Sequence, residues 1–194
     1  MSTFPKMTEL VRPATVGYAT VEHYTITPFD AMRDSFKGIY TEPGKVAILR
    51  VNGRTMMSDT QHERRSNRQF VAEARGHVLV AGLGLGMVLH PILAKTEVLS
   101  LTVIEKHQDV IDLIKPTLPA AKHVTIICAD IFAWQPPKGD KWETVYFDIW
   151  ADLCTDNLTQ IAALHQRFKA HKVAGGWMGS WCQDELRYRK RQGQ

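Results

Sequence analysis

The sequence predicts an α/β fold: a doubly wound, mostly parallel sheet covered by helices, preceded by a small β-rich segment. Three observations carry this. Residues 78–86, Val-Leu-Val-Ala-Gly-Leu-Gly-Leu-Gly, read as a buried strand running into a glycine turn. From residue 77 onward, apolar runs of strand length alternate with helix-like stretches at short spacing. Before residue 77, β-branched and aromatic residues alternate with polar ones, the pattern of half-buried antiparallel strands.

Residues 1–76 therefore form an N-terminal segment. Thr15 to Ile26 alternates as a strand does, and Lys45 to Ser58 reads as two short strands around Asn52-Gly53. That dipeptide accepts the positive φ of a tight hairpin turn. Gln61 to Arg75 is polar, with Phe70, Val71 and Ala74 near its end, and reads as a helix leading into the next strand. Residues 77–194 form the second segment. Its strands are expected at His77–Ala81, Leu101–Glu105, Val124–Cys128, Thr144–Trp150 and Val173–Ser180. Helices are expected at Met87–Lys95, His107–Ile114, Asn157–His171 and Gln183–Arg189. In such a fold the loops that carry chemistry gather at one edge of the sheet.

Composition bounds the function. A hydrophobic content of 44% and a charged content of 23% over 194 residues suit one soluble domain with a modest extension. The net charge of +4 owes much to Arg187, Arg189, Lys190 and Arg191, read as a solvated, fraying tail, with a nucleic-acid contact left open. Cys128, Cys154 and Cys182 are odd in number and lack CxxC spacing, which suits reduced thiols in a cytoplasmic protein. Histidine spacing offers no metal site, and neither a GxSxG elbow nor a GxxxxGK[ST] phosphate loop is present. No apolar run has transmembrane length, so a soluble protein without a membrane partner is expected.

The chemistry falls at strand ends. Gly82, Gly84 and Gly86 suit a turn whose backbone approaches a ligand closely, and the helix after it is expected to point its amino end at the same ligand. Glu105, 19 residues after Gly86, suits the hydroxyls of a ribose, or else is an acid that simply precedes a helix. Asp130 suits the exocyclic amine of adenine with Ile131 packing on the base, or else caps a turn. A GxGxG run followed by two acids at successive strand ends fits a nicotinamide dinucleotide less well than GxGxxG with one acid. Asp148 ends an apolar strand, where an acid is costly unless it reaches solvent or a partner. It is placed to orient or deprotonate a substrate. Asp152 either joins that mouth or begins the next helix, and Trp150 reads as a wall of the pocket. Trp177 and Trp181 read as packing.

These four strand ends, in this order and spacing, resemble the class I S-adenosylmethionine (SAM)-dependent methyltransferases, a Rossmann-like fold. The resemblance implies that Gly82, Gly84 and Gly86 flank the methionine part of SAM, Glu105 the ribose, and Asp130 with Ile131 the adenine. Within that superfamily the spermidine synthase-like branch is the most similar. Its members place a small β segment before the glycine-rich strand and hold the attacking amine on an aspartate at the position of Asp148. Here Ser66-Asn67-Arg68-Gln69 replaces that branch's Tyr-x-Glu, and Asp148-Ile149-Trp150-Ala151-Asp152-Leu153 displaces its second aspartate and lacks its proline.

The expected function is thus group transfer from SAM, most readily methyl transfer to a small-molecule acceptor such as an amine, with Asp148 and Asp152 as the catalytic candidates. The alternatives are aminopropyl transfer from decarboxylated SAM and a non-catalytic SAM- or nucleoside-binding module. Only 14 residues follow Ser180, too few for a helix and a hairpin of about five-residue strands. The sheet is therefore expected to be truncated at its C-terminal edge, with a homodimer or a covering tail on that edge.

Overall fold

The computed structural model describes residues 4–36, 41–120 and 123–193. Two sheets are present among the described residues. The first is antiparallel, in the order β1 (Ala14–Val16), β2 (Ala19–Ile26), β3 (Gly44–Val51) and β4 (Arg54–Ser58). β2 and β3 pair along their whole length, from Ala19 opposite Val51 to Ile26 opposite Gly44. The β3–β4 turn is made by Asn52 and Gly53, both at positive φ (52° and 75°), as the sequence predicts.

The second sheet is all parallel. Its strands are β5 (Gly76–Ala81), β6 (Val98–Glu105), β7 (Val124–Cys128), β8 (Trp142–Phe147) and β9 (Lys172–Ser180), in the spatial order β7-β6-β5-β8-β9. The order reverses beside β5: the chain steps outward through β6 and β7, then returns to lay β8 on β5's other side. Ligands of open parallel sheets settle beyond the carboxyl ends of the strands at such a reversal. β9 is an edge strand; among the described residues none pairs with its outer side.

Both faces of this sheet are covered, which is why its strands are apolar throughout rather than alternating. Val78 and Val80 of β5 point into one core, with Phe70, Leu89, Val103 and Tyr146. Leu79 and Ala81 point into the other, with Val145, Phe147, Leu164 and Phe168. The first core also takes in Val21, Ala47, Leu49 and Val51, so residues 1–76 and 77–194 share one apolar interior. Buried Asp59 ties the small sheet together. Its carboxylate accepts the Met7 and Ala47 N–H groups, both at 2.8 Å, and pairs with Arg64 at 3.2 Å. Asp109 of α6 (Gln108–Ile114) accepts the Tyr18 N–H at 2.8 Å, which fastens the β1–β2 turn to the large domain. These ties hold the β3–β4 hairpin over the carboxyl ends of the parallel strands.

The helices depart from the sequence reading in four places. Two short helices, α1 (Met7–Leu10) and α2 (Pro28–Ser35), lie where none was expected. The expected helix over 61–75 is two helices, α3 (Gln61–Ser66) and α4 (Arg68–Glu73), separated by Asn67, whose buried side chain turns inward to accept the Tyr146 hydroxyl at 2.9 Å. The helix expected at Met87 begins only at Leu89, as α5 (Leu89–Leu93), because tight turns hold residues 83–89: Gly86 N–H donates to Leu83 O and Leu89 N–H to Gly86 O. α7 (Asn157–Phe168) is the helix of the β8–β9 connection. The helix expected at Gln183–Arg189 is α8 (Gln183–Arg191), and it takes in the basic stretch read as a fraying tail; Arg187 pairs with Asp184 and Arg189 with Glu185, one turn back. No helix among the described residues is long and apolar enough to cross a membrane.

Candidate functional site

A cavity of about 290 Å³ opens where the order of the parallel sheet reverses. Its floor is the turn Gly82-Leu83-Gly84. Gly82 sits at φ 100°, and a Cβ there would overlap the carbonyl oxygen of Asp148. The loops leaving β5 and β8 touch at this point, and Asp148 N–H donates to Ala81 O at 2.8 Å. Only glycine permits both the conformation and the approach. The roof comes from the small sheet: Leu49, Val51, Met56 and Met57. Gly86 does not line the cavity; it packs toward Ile114 and Leu118.

One end of the cavity carries Glu105 and Asp130. Glu105 is buried, and both its oxygens are engaged: Oε2 accepts the Leu83 N–H and Oε1 the His107 N–H, each at 2.9 Å. The acid thereby braces the glycine turn from β6. Each carboxylate oxygen keeps a second lone pair, so the group can still accept from a ligand hydroxyl. Asp130 follows β7. Its Oδ1 accepts the Phe132 N–H at 2.9 Å, and Lys106 lies 2.9 Å from Oδ2. The Lys106 hydrogen bond, then that from Phe132, holds its carboxyl below the usual range. Asp130 therefore stabilises its own turn and also faces the cavity, beside buried Ile131 and exposed Phe132.

The other end carries Asp148 and Glu63. Asp148 lies one residue beyond β8, which stops at Phe147 rather than at Trp150. Burial pushes its carboxyl up to about 7, opposed by a hydrogen bond from Asn67. Glu63, on α3, is pushed up to about 8 by burial and by the charge of Asp148. Burial, then Asp148, Cys182 and Glu63, also raises the Tyr146 hydroxyl, and burial with Glu185, Glu63 and Asp148 pushes the Cys182 thiol up to about 12. Sequence reading missed Glu63. The alternation that marks strand ends does not mark a carboxylate on a polar helix 85 residues upstream of its partner, and only the fold brings the two together.

Trp150 lines the cavity and donates its indole N–H to Gln160 at 2.7 Å, which ties this wall to α7. Trp181 is buried, as expected of packing, and also lines the cavity, with its indole N–H donated to Ser66 at 3.0 Å. Asp152 stands outside the lining. It is exposed on the rim, where it pairs with Arg54 at the start of β4. Among the described residues no cluster of three or more His, Cys, Asp or Glu could hold a metal ion.

No protein-family model and no curated protein matches this chain. Solved structures resemble it at low identity. The N-methyltransferase NodS from Bradyrhizobium japonicum is 15% identical, with 63% of this chain and 68% of that one covered and a TM-score of 0.48. An amino pentose methyltransferase from Micromonospora echinaspora, solved with SAM bound, is 18% identical over 60% of this chain and 45% of its own, with a TM-score of 0.42. The CcbJ methyltransferase from Streptomyces caelestis is 22% identical over 60% of this chain and 47% of its own, with a TM-score of 0.44. This chain thus spans less than half of the latter two.

Proposed function

We propose that the cavity binds SAM and that the protein transfers the SAM methyl group to a small-molecule acceptor. The observation that carries this reading is one cavity with two chemically different ends joined by a glycine turn. The donor set at the first end suits an adenosyl group. Glu105 offers its remaining lone pairs to ribose hydroxyls, Asp130 offers an acceptor to the adenine amine, and Ile131 and Phe132 offer apolar surface to the base. A bound sulfonium supplies an electrophilic carbon.

The protein's part is then alignment and proton handling. Holding acceptor and donor in line is worth about 7–11 kcal/mol. Asp148, held near neutrality, is suited to take a proton from an acceptor nitrogen at neutral pH. Glu63 beside it adds a second carboxyl, and the lysine of the lining, Lys106, belongs to the opposite end. A cationic amine therefore suits the acid end best. Trp150 helps exclude water there.

The same charge distribution favours a second reading. A methionine carboxylate extending toward Glu63 and Asp148 meets no protein cation among the lining residues, so aminopropyl transfer from decarboxylated SAM stands as the rival. Calorimetric titration of the protein with SAM, decarboxylated SAM, methylthioadenosine and NADH separates the readings. Tighter binding of SAM than of its decarboxylated form is the expected result. The reverse preference selects aminopropyl transfer, and failure of every adenosyl ligand to bind overturns both.

A further inference from the structure

The Leu85 N–H lies in the middle of the glycine turn and donates to Met57 Sδ at 3.0 Å. The same sulfur lies against Gly84, where a Cβ would overlap it. Met57 reaches this place from β4, opposite Leu49 and beside the irregular register between Leu49 and Arg50. The hairpin that carries it meets the rim of the cavity at the exposed Arg54–Asp152 ion pair. A thioether is a weak hydrogen-bond acceptor. It therefore covers a backbone donor of the turn, beneath the cavity floor, with a weak partner.

We propose that Met57 is a redox-sensitive stopper of the glycine turn: the reduced side chain yields the turn to a ligand, and the sulfoxide holds it. The identity of the ligand rests on the adenosyl reading above; the stopper itself does not. The step is oxygen transfer from a peroxide. An S–O bond forms on Met57 as the peroxide O–O bond breaks, sulfur gives up two electrons, and hydrogen peroxide leaves as water. The new sulfoxide oxygen is a strong acceptor for the Leu85 N–H. It also places a polar group in a roof otherwise built from Leu49, Val51 and Met56. Methionine sulfoxide reductase reverses the change.

Met57 is suited to this by position. It is half-buried and lines the cavity, so a small oxidant reaches it, whereas Met7 and Met87 are fully buried. Met32 is exposed on α2 and outside the cavity lining, and serves as an internal gauge of oxidation.

The test treats the protein with hydrogen peroxide, maps each methionine by peptide mass spectrometry, and follows the Leu85 amide by ¹H–¹⁵N NMR. Affinity for methylthioadenosine is measured in parallel by calorimetry. Oxidation of Met57 is expected to move the Leu85 amide proton downfield and to weaken methylthioadenosine by about tenfold or more, both reversed by the reductase. Met57→Leu is expected to bind methylthioadenosine at least as well as the reduced protein and to keep that affinity through peroxide treatment; Met56→Leu is expected to stay sensitive. An unmoved Leu85 amide on oxidised Met57, an unchanged affinity, or a Met57 that stays reduced while Met32 oxidises overturns the proposal. If methylthioadenosine binds neither form, the adenosyl reading fails, and the Leu85 amide alone decides the stopper.

Discussion

Four carboxylates line one cavity, two at each end, and their surroundings set them apart. Glu105 accepts two backbone N–H groups, and Asp130 accepts one and faces Lys106. Asp148 and Glu63 face each other, with no lysine or arginine of the lining beside them. Hydrogen bonds hold the first pair in place, and at Asp130 they favour the charged form; the second pair is pushed toward the neutral form by burial, and Glu63 also by the charge of Asp148. Residues of one chemical type thus divide into acceptors fixed by hydrogen bonds at one end and carboxyls raised toward neutral pH at the other. Pairs of titratable groups pushed apart in this way are how a single site assigns binding and acid–base roles.

The contrast breaks most visibly at Asp148. Asp148→Asn is expected to lower turnover roughly 10²–10⁴-fold, the usual worth of a positioned base, while SAM affinity measured by calorimetry stays within about twofold of the parent's. Unchanged turnover would sink the assignment of Asp148. At the other end Glu105→Ala should show the opposite profile. Charge-assisted hydrogen bonds contribute about 1.5–3 kcal/mol each, so its loss should weaken SAM roughly 10- to 150-fold. It also leaves the Leu83 and His107 N–H groups without their acceptor, so a fall in Tm should accompany the lost affinity. Glu105→Gln keeps one acceptor and should lie between the two.

The fixed end was largely legible in the sequence and the proton-carrying end only half so. Glycines between an apolar strand and a turn, followed by an acid closing β6 and another just beyond β7, follow from local pattern, because a strand's period and the polar residue that ends it are nearest-neighbour facts. Asp148 was visible for the same reason. Glu63 was not: its helix carries Arg64 and Arg65 and reads as an ordinary solvated face. Glu63 lines the cavity on a helix that ends at Asn67, whose side chain accepts a hydrogen bond from Tyr146, 79 residues away. Asp59 was likewise invisible, a polar residue after a strand whose carboxylate proves to join α1, β3 and α3. The fraying expected of the basic stretch failed because ion pairs one turn apart support α8.

A smaller effect sharpens the comparison through pH. In the unfolded chain Asp148 and Glu63 titrate near 3.8 and 4.5; in the folded protein they are raised to about 7 and about 8. Between those limits the folded state holds protons that the unfolded chain has released, so stability falls as pH rises from about 4 to about 8. Their contribution is fully present below the unfolded values and lost above the folded ones. Glu63→Gln removes the carboxyl that burial and the charge of Asp148 raise. It should stabilise the protein at pH 8 by about 1–2 kcal/mol, roughly 2–8 °C in Tm for a chain of this size, with little change at pH 4. Equal Tm differences at both pH values would show that the two carboxyls do not share a charge.

The smallest effect belongs to Asp152, and its smallness is informative. Read from sequence as a second catalytic acid, it stands on the rim, paired with Arg54 and well exposed to solvent. A pair of that kind contributes little, because water screens it and two long side chains must be held still to form it. Asp152→Asn should therefore shift stability by less than about 1 kcal/mol and turnover by less than about fivefold, an equivalent free energy. Arg54→Ala should match it, since each removes the same contact between hairpin and rim, and the double variant should cost no more than either single one. A loss of turnover in Asp152→Asn approaching that of Asp148→Asn, with Arg54→Ala unaffected, would instead bring Asp152 into the acid end and make the proton-carrying group a cluster of three.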